Sequence, residues 1–169
     1  GKSITTNASR TLKRSMRRNL QRYKLRRANL IEILKEHGFV KNESVLSENG
    51  NRTTFETYRL RAMSATEKIS LEEFARVLLM INKKRGYKSS RKAKSQDEGQ
   101  LIDGMEIAKN LYHEDHTPGQ FCLQLLTSGK KYLPDFYRSD LQAEFYRIWA
   151  KQKEFYPGLL NDNFKKELF

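Results

Sequence analysis

Apolar residues along the chain recur every three to four positions, separated by caps, glycines and polar turns, and no segment alternates with a period of two. This pattern predicts an all-α chain: one long helix followed by a helical domain. The longest periodic stretch runs from Ser9 to Gly38. Leu12, Met16, Leu20, Tyr23, Leu30 and Leu34 share one face of it, with Ile31 and Ile33 at the margins. Ser9 or Asn7 is the expected N-cap, and Gly38 supplies the left-handed position that ends the helix. About 28 residues at 1.5 Å each make a rod roughly 40 Å long. Apolar positions are sparse in its first half and dense in its second, the pattern of an arm anchored at its C-terminal end.

Residues 1 to 8 are short and polar and serve as a leading linker. Phe39 to Thr53 is turn-rich, with Asn49-Gly50 as its clearest turn, and Thr54 to Ala65 predicts a short helix. Ser70-Leu71-Glu72-Glu73 is a capping box opening a helix that runs to about Arg85. Leu71, Phe74, Leu78 and Ile81 keep helical spacing there, and Val77, Leu79 and Met80 widen the stripe, so this helix is the expected centre of the core. A further helix is predicted over Gly99 to Tyr112 through Leu101, Met105, Ala108 and Leu111, with Gly104 costing about 1 kcal/mol relative to Ala. Thr117-Pro118 starts the next and Ser128-Gly129 ends it, with Phe121, Cys122 and Leu125 inward. Ser139-Asp140 is expected to cap a helix carrying Phe145, Ile148 and Trp149 that stops before Pro157. Phe164, Leu168 and Phe169 mark a last short helix.

Charge changes this picture. The 169 residues carry a formal net charge of +13. Arg10, Lys13, Arg14, Arg17, Arg18, Arg22, Lys24, Arg26 and Arg27 fall in one run without an acidic residue. Lys83, Lys84, Arg85, Lys88, Arg91, Lys92 and Lys94 form a second, interrupted by Gly86 and Tyr87. The remainder of the chain is slightly acidic, so two patches hold the positive excess, as in a nucleic-acid binder. At about 100° per residue, Arg14, Arg18, Arg22 and Arg26 form one ridge and Arg10, Lys13, Arg17 and Lys24 a second beside it. Arg27 falls inside the apolar stripe and snorkels out of it. Like charges four apart disfavour the isolated helix by a few tenths of a kcal/mol per pair, so its first half calls for a polyanion. The apolar face lacks the Trp and Phe that a membrane-surface helix would use. In the second patch, residues 83 to 91 combine backbone amides, a stacking ring and cations, which leans towards RNA, whereas residues 92 to 98 read as a solvated linker.

Other candidate chemistry is weak. His113-Glu114-Asp115-His116 precedes a helix cap and reads as a polar loop rather than a metal site. Gly1-Lys2-Ser3 lacks the strand and glycines of a phosphate loop. Cys122, the single cysteine, excludes an intramolecular disulfide, fits a reducing compartment such as cytoplasm, and reads as a small core residue without a basic partner. Glu72, Glu73, Asp103 and Glu144 are assigned to caps and helix faces, leaving no catalytic constellation. No apolar run approaches the ~20 residues that span a bilayer. A start at Gly1 points to a piece of a longer protein.

The string Leu12-Lys13-Arg14-Ser15-Met16-Arg17-Arg18, continuing through Arg22, Lys24, Arg26, Leu30, Glu32 and Ile33, closely resembles the arginine-rich bridge helix of the type II CRISPR effector nuclease, Cas9. Three later blocks resemble the recognition lobe in that family's compact type II-C branch. These are Tyr58-Arg59-Leu60-Arg61-Ala62, Ile69 to Leu78 with Lys84-Arg85-Gly86-Tyr87-Lys88-Ser89, and Thr117-Pro118-Gly119-Gln120 followed by Tyr137-Arg138-Ser139-Asp140 to Phe145. The resemblance covers about residues 8 to 150. It implies a bridge helix over 9 to 38 and a recognition-lobe segment over 39 to 169. By this resemblance the ridge Arg14, Arg18, Arg22 and Arg26 grips the guide-RNA backbone at the seed, and Arg10, Lys13, Arg17 and Lys24 face the guide scaffold. Lys84, Arg85 and Lys88, with Arg138, meet the repeat:anti-repeat RNA, and Tyr87 in the same patch is a further RNA-binding candidate. Asn19 and Met80 depart from residues common in the family.

The implied partners are guide RNA (crRNA:tracrRNA), the target DNA heteroduplex, the remaining domains of the parent nuclease and an acidic anti-CRISPR protein, with no membrane and a bacterial cytoplasmic setting. The family's nuclease carboxylates and His-Asn-His domain lie outside this segment, so the chain itself is expected not to be an enzyme and to hold no cofactor, the parent using Mg2+. Two alternatives stand beside this: an independent basic-helix RNA or DNA module, and a domain that binds an acidic inhibitor protein.

Overall fold

The structure, a computed structural model, describes residues 6–47, 50–84, 86, 98–130 and 133–168. Seven α-helices and one 3₁₀ turn follow one another: α1 (Asn7–Glu36), the 3₁₀ turn (Glu43–Leu46), α2 (Asn51–Ser64), α3 (Leu71–Lys83), α4 (Glu98–Glu114), α5 (Pro118–Thr127), α6 (Arg138–Lys153) and α7 (Asp162–Leu168). No strand occurs among the described residues, so the fold is all-α.

α1 starts two residues earlier than Ser9, because Thr6 rather than Ser9 or Asn7 takes the extended N-cap conformation and its hydroxyl accepts the Ser9 N–H at 3.3 Å. Its other end is the one the sequence implies. Gly38 has φ 77°, and the Gly38 and Phe39 N–H groups return to the Lys35 and Leu34 carbonyls at 3.1 and 2.9 Å, a Schellman turn. Phe39 is thereby carried into the core, where it is 1% exposed.

The expected irregular stretch after Gly38 contains the 3₁₀ turn, where Asn42 Oδ1 accepts the Ser44 N–H at 3.2 Å. α2 begins at Asn51, three residues before Thr54, with Gly50 at φ 80° as its N-cap. At α3 both arms of the capping box form: Ser70 Oγ accepts the Glu73 N–H at 3.2 Å, and Glu73 Oε1 accepts the Ser70 N–H at 2.9 Å. α5 opens on a second box built from Thr117 and Gln120. α4 extends to Glu114, and Asp115 at φ 54° takes the left-handed position that stops it. The expected Ser139-Asp140 cap is not formed. α6 starts at Arg138 from Tyr137, whose side chain makes no capping bond.

The main core gathers Leu30, Ile31 and Leu34 of α1, Phe39, Phe74, Val77, Leu78 and Ile81, Phe145, Ile148 and Trp149, and Phe164. α3 is its centre, as its apolar stripe predicts. Leu111, Cys122, Phe136 and Leu141 form a smaller second core with Tyr58, Phe121 and Leu133 packed against it. A buried amide joins the helices: Gln152 Nε2 donates to the Ser64 and Glu67 carbonyls at 2.7 Å each, and its oxygen accepts the Ile69 N–H at 3.1 Å. The turn between α2 and α3 therefore hangs from α6.

Candidate nucleic-acid interface

The root of α1 is fixed and its tip is not. Buried residues begin at Leu30, and Leu12, Met16, Leu20 and Leu25 remain 53–63% exposed. The expected apolar face thus packs only over its last two turns; upstream it is an uncovered stripe flanked by cations. Arg10, Lys13, Arg14, Arg17, Arg18, Arg22 and Lys24 are all exposed, while Arg26 and Arg27 are half-buried near the root. Arg26 lies 5.9 Å from the centre of the Tyr23 ring, and its buried Nε has no hydrogen-bond partner among the described residues. No carboxylate pairs with any of the nine among the described residues. With no acidic residue in its first turn and this much uncompensated charge, the helix presents a strongly cationic surface.

The second patch is assembled by a close backbone approach. Lys83 and Lys84 stand exposed at the C-terminal end of α3, where the helix dipole favours cations. Gly86 follows at φ 79°, and a Cβ there would sit 2.5 Å from the Phe136 carbonyl oxygen and 2.9 Å from the Arg138 nitrogen. The glycine lets the chain lie against the start of α6, which brings Lys84 and Arg138 to one side of the molecule. Lys84 reaches Asp135 at 3.8 Å, and the Arg138 Nε is buried without a partner among the described residues. Arg85, Tyr87 and Lys88, with residues 92 to 97 of the expected linker, lie outside the described residues.

One residue reads differently in the structure. Glu144, expected on a helix face, is 1% exposed and paired with buried Arg61. Its Oε1 and Oε2 accept from Arg61 Nε at 3.0 and 3.1 Å, and Oε2 also accepts the Gly119 N–H at 2.6 Å. Burial works against the Arg61 charge, but the Glu144 carboxylate more than offsets it and holds the guanidinium above its ordinary pKa. Cys122 is the core residue expected. Burial pushes its thiol from 9.0 up to about 12, despite the opposing pull of Arg61, so it is protonated at neutral pH. In the loop after α4, Asp115 accepts from Arg147 at 3.4 Å and His116 lies 3.4 Å from Glu114, which ties this stretch to α6. Among the described residues no group of three or more His, Cys, Asp or Glu could hold a metal ion, and no helix is long and apolar enough to cross a membrane.

No protein-family model matches the chain. Its shape, however, matches solved structures over almost its whole length. It is similar to St1Cas9 in a dimeric assembly with sgRNA, tDNA and AcrIIA6, with 27% identity and a TM-score of 0.76 over 99% of this chain. Over almost its whole length the chain is similar to a segment of type II Cas9. A Streptococcus thermophilus Cas9 in complex with an AGGA PAM matches at 25% identity and TM-score 0.69 over 96% of the chain. The fold of Campylobacter jejuni Cas9 with sgRNA and target DNA matches over 99%, at 24% identity and TM-score 0.70. The chain spans 21%, 14% and 24% of these Cas9 chains respectively.

Proposed function

We propose that the chain is the guide-RNA-binding portion of an RNA-guided CRISPR DNA endonuclease, with α1 as the bridge helix and the remaining helices as the first part of a compact, type II-C-like recognition lobe. The observation that carries this reading is the arm itself: its exposed cations pair with no carboxylate among the described residues, on a helix held only at its root. A polyanion held along that arm neutralises the ridge and supplies the counter-charge its first half lacks. In this reading Arg14, Arg18, Arg22 and Arg26 hold the guide backbone near the seed, and Arg10, Lys13, Arg17 and Lys24 hold the scaffold. Lys84 and Arg138, with Arg85, Tyr87 and Lys88, take the repeat:anti-repeat duplex. Protein fixes geometry while base pairing reads the target DNA. Cleavage and its Mg2+ belong to parts of the parent outside this chain, and the setting is the bacterial cytoplasm.

Fluorescence-anisotropy titration of crRNA:tracrRNA from low to high salt tests this. Binding is expected with a log–log salt slope of about 0.7 to 0.9 per phosphate contact, and replacing the four ridge arginines with alanine is expected to weaken it by several orders of magnitude with the helical fold intact. Salt-independent binding, or an unchanged slope in the quadruple variant, overturns the reading. A second reading is an acidic inhibitor protein on the same helix. It is favoured by the charge of the arm and by the presence of AcrIIA6 in the matched St1Cas9 assembly. Competition between the RNA and such an inhibitor, abolished by reversing the charge at Arg14 and Arg18, is its expected signature.

A further inference from the structure

Beside Lys83 and Lys84 the surface opens into a cleft of about 230 Å³, set between α2, the end of α3 and the segment that leads into α6. Its walls are largely apolar: Tyr58, Met80, Phe136 and Leu141 line it, and most of these belong to or pack on the smaller core. Phe136 is held edge-on by Phe121 at 6.3 Å, which fixes one wall. We infer that this cleft receives one unpaired base of the bound RNA, with the flanking phosphates outside on the lysine rim. The inference rests on the guide-RNA reading above.

Three features choose this occupant. The cleft is too small for a duplex end and has the size and apolar lining suited to one planar ring system, whose faces stack on side chains whatever the base. Its charge is already compensated. Arg61 also lines the cleft, but Glu144 takes its guanidinium, and the neighbouring Cys122 thiol is protonated, so the interior offers an anion no net attraction. The cations that a phosphate needs stand at the mouth instead, where the Lys84 side chain is 77% exposed and meets Asp135 only at 3.8 Å. Base inside and phosphate outside is the arrangement that this division of polarity supports.

The test uses the 169-residue chain and two RNA probes: a stem with one unpaired 2-aminopurine, and the same stem fully paired. The wild type is expected to bind the first about tenfold more tightly, with a change in 2-aminopurine emission on binding. Met80→Trp and, at the rim of the same cleft, Thr54→Trp fill the space. Either is expected to abolish the preference and the emission change while leaving affinity for the paired stem unaltered; thermal melts confirm that the variants fold. Equal binding of the two probes by the wild type, with the salt dependence intact, overturns the base-receiving cleft alone. So does a preference that survives in both filled variants. Absence of salt-dependent binding to either probe overturns the guide-RNA reading together with this one.

Discussion

Arg61 on α2 and Glu144 on α6, 83 residues apart in the chain, form a buried ion pair whose carboxylate also accepts the Gly119 N–H from the first turn of α5. Three helices meet on one carboxylate. Removing its charge in Glu144→Gln leaves the buried guanidinium uncompensated, an expected loss of about 3 to 5 kcal/mol in urea unfolding. The double change Arg61→Met with Glu144→Leu is expected to recover most of that loss, because the cost lies in the unpaired charge. If the single and double variants unfold at the same urea concentration, the pair is not what joins these helices.

Gly86 is a positional requirement of the second basic patch. Alanine there would carry a Cβ at 2.5 Å from the Phe136 carbonyl oxygen on a backbone with φ 79°. Gly86→Ala is therefore expected to push the Lys84 segment off the start of α6 and weaken RNA binding. Gly129→Ala, at φ 84° but with nothing within 4 Å of its Cβ, is expected to show the backbone strain without the displacement. Comparing the two in the anisotropy titration isolates the contact from the strain. Equal affinities for the two variants would mean that the close approach does not matter.

Alkaline pH reaches the second core through Cys122. The thiol titrates near 9.0 when unfolded and near 12 in the fold, so between these values the unfolded chain binds fewer protons. Stability then falls as pH rises through that window, by an amount on the order of a few kcal/mol at most, and is unaffected by this group below pH 8. Urea midpoints of the wild type and Cys122→Ala from pH 8 to 11 check the sign: the wild type is expected to lose stability more steeply. Parallel curves would remove the thiol from the account.

Amide exchange distinguishes the two halves of α1. Residues 10 to 23 carry repelling cations and no buried side chain, so their amides are expected to exchange far faster than those of Leu30 to Leu34. Saturating RNA is expected to slow the first half strongly and the second half little. Uniform protection of the RNA-free chain would show that charge repulsion is too weak to loosen the arm.

Much of this was legible in the sequence because it is local. Ser70 with Glu73, Thr117 with Pro118, and Gly38 announce helix ends through chemistry confined to a few neighbouring residues, and the stripe on α3 announces the core through spacing alone. The misreadings come from contacts at long range or from choices between near-equal neighbours. Thr6, Asn7 and Ser9 can all cap a helix, and the register that won was not marked. Glu144 looks like any surface glutamate until α2 and α5 are laid against it. Leu12, Met16 and Leu20 sit at core spacing with no described element over them. The grouping of Lys84 with Arg138 came from the family resemblance and not from local pattern, since it depends on Gly86 lying against a backbone some fifty residues away.

The Schellman turn at Gly38 acquires a mechanical meaning once the length of the arm is considered. Twenty-three residues of α1, from Asn7 to Asn29, precede its buried root, a span of about 35 Å. A tilt of about 10° at the root moves the tip by roughly 6 Å, about the rise of two nucleotides along one strand. Leu30, Ile31, Leu34 and Phe39 thus act as the fulcrum of a lever. A cavity opened among those four would leave every arginine in place on the helix and still misalign the ridge, so aim, rather than charge, is the property these apolar residues govern.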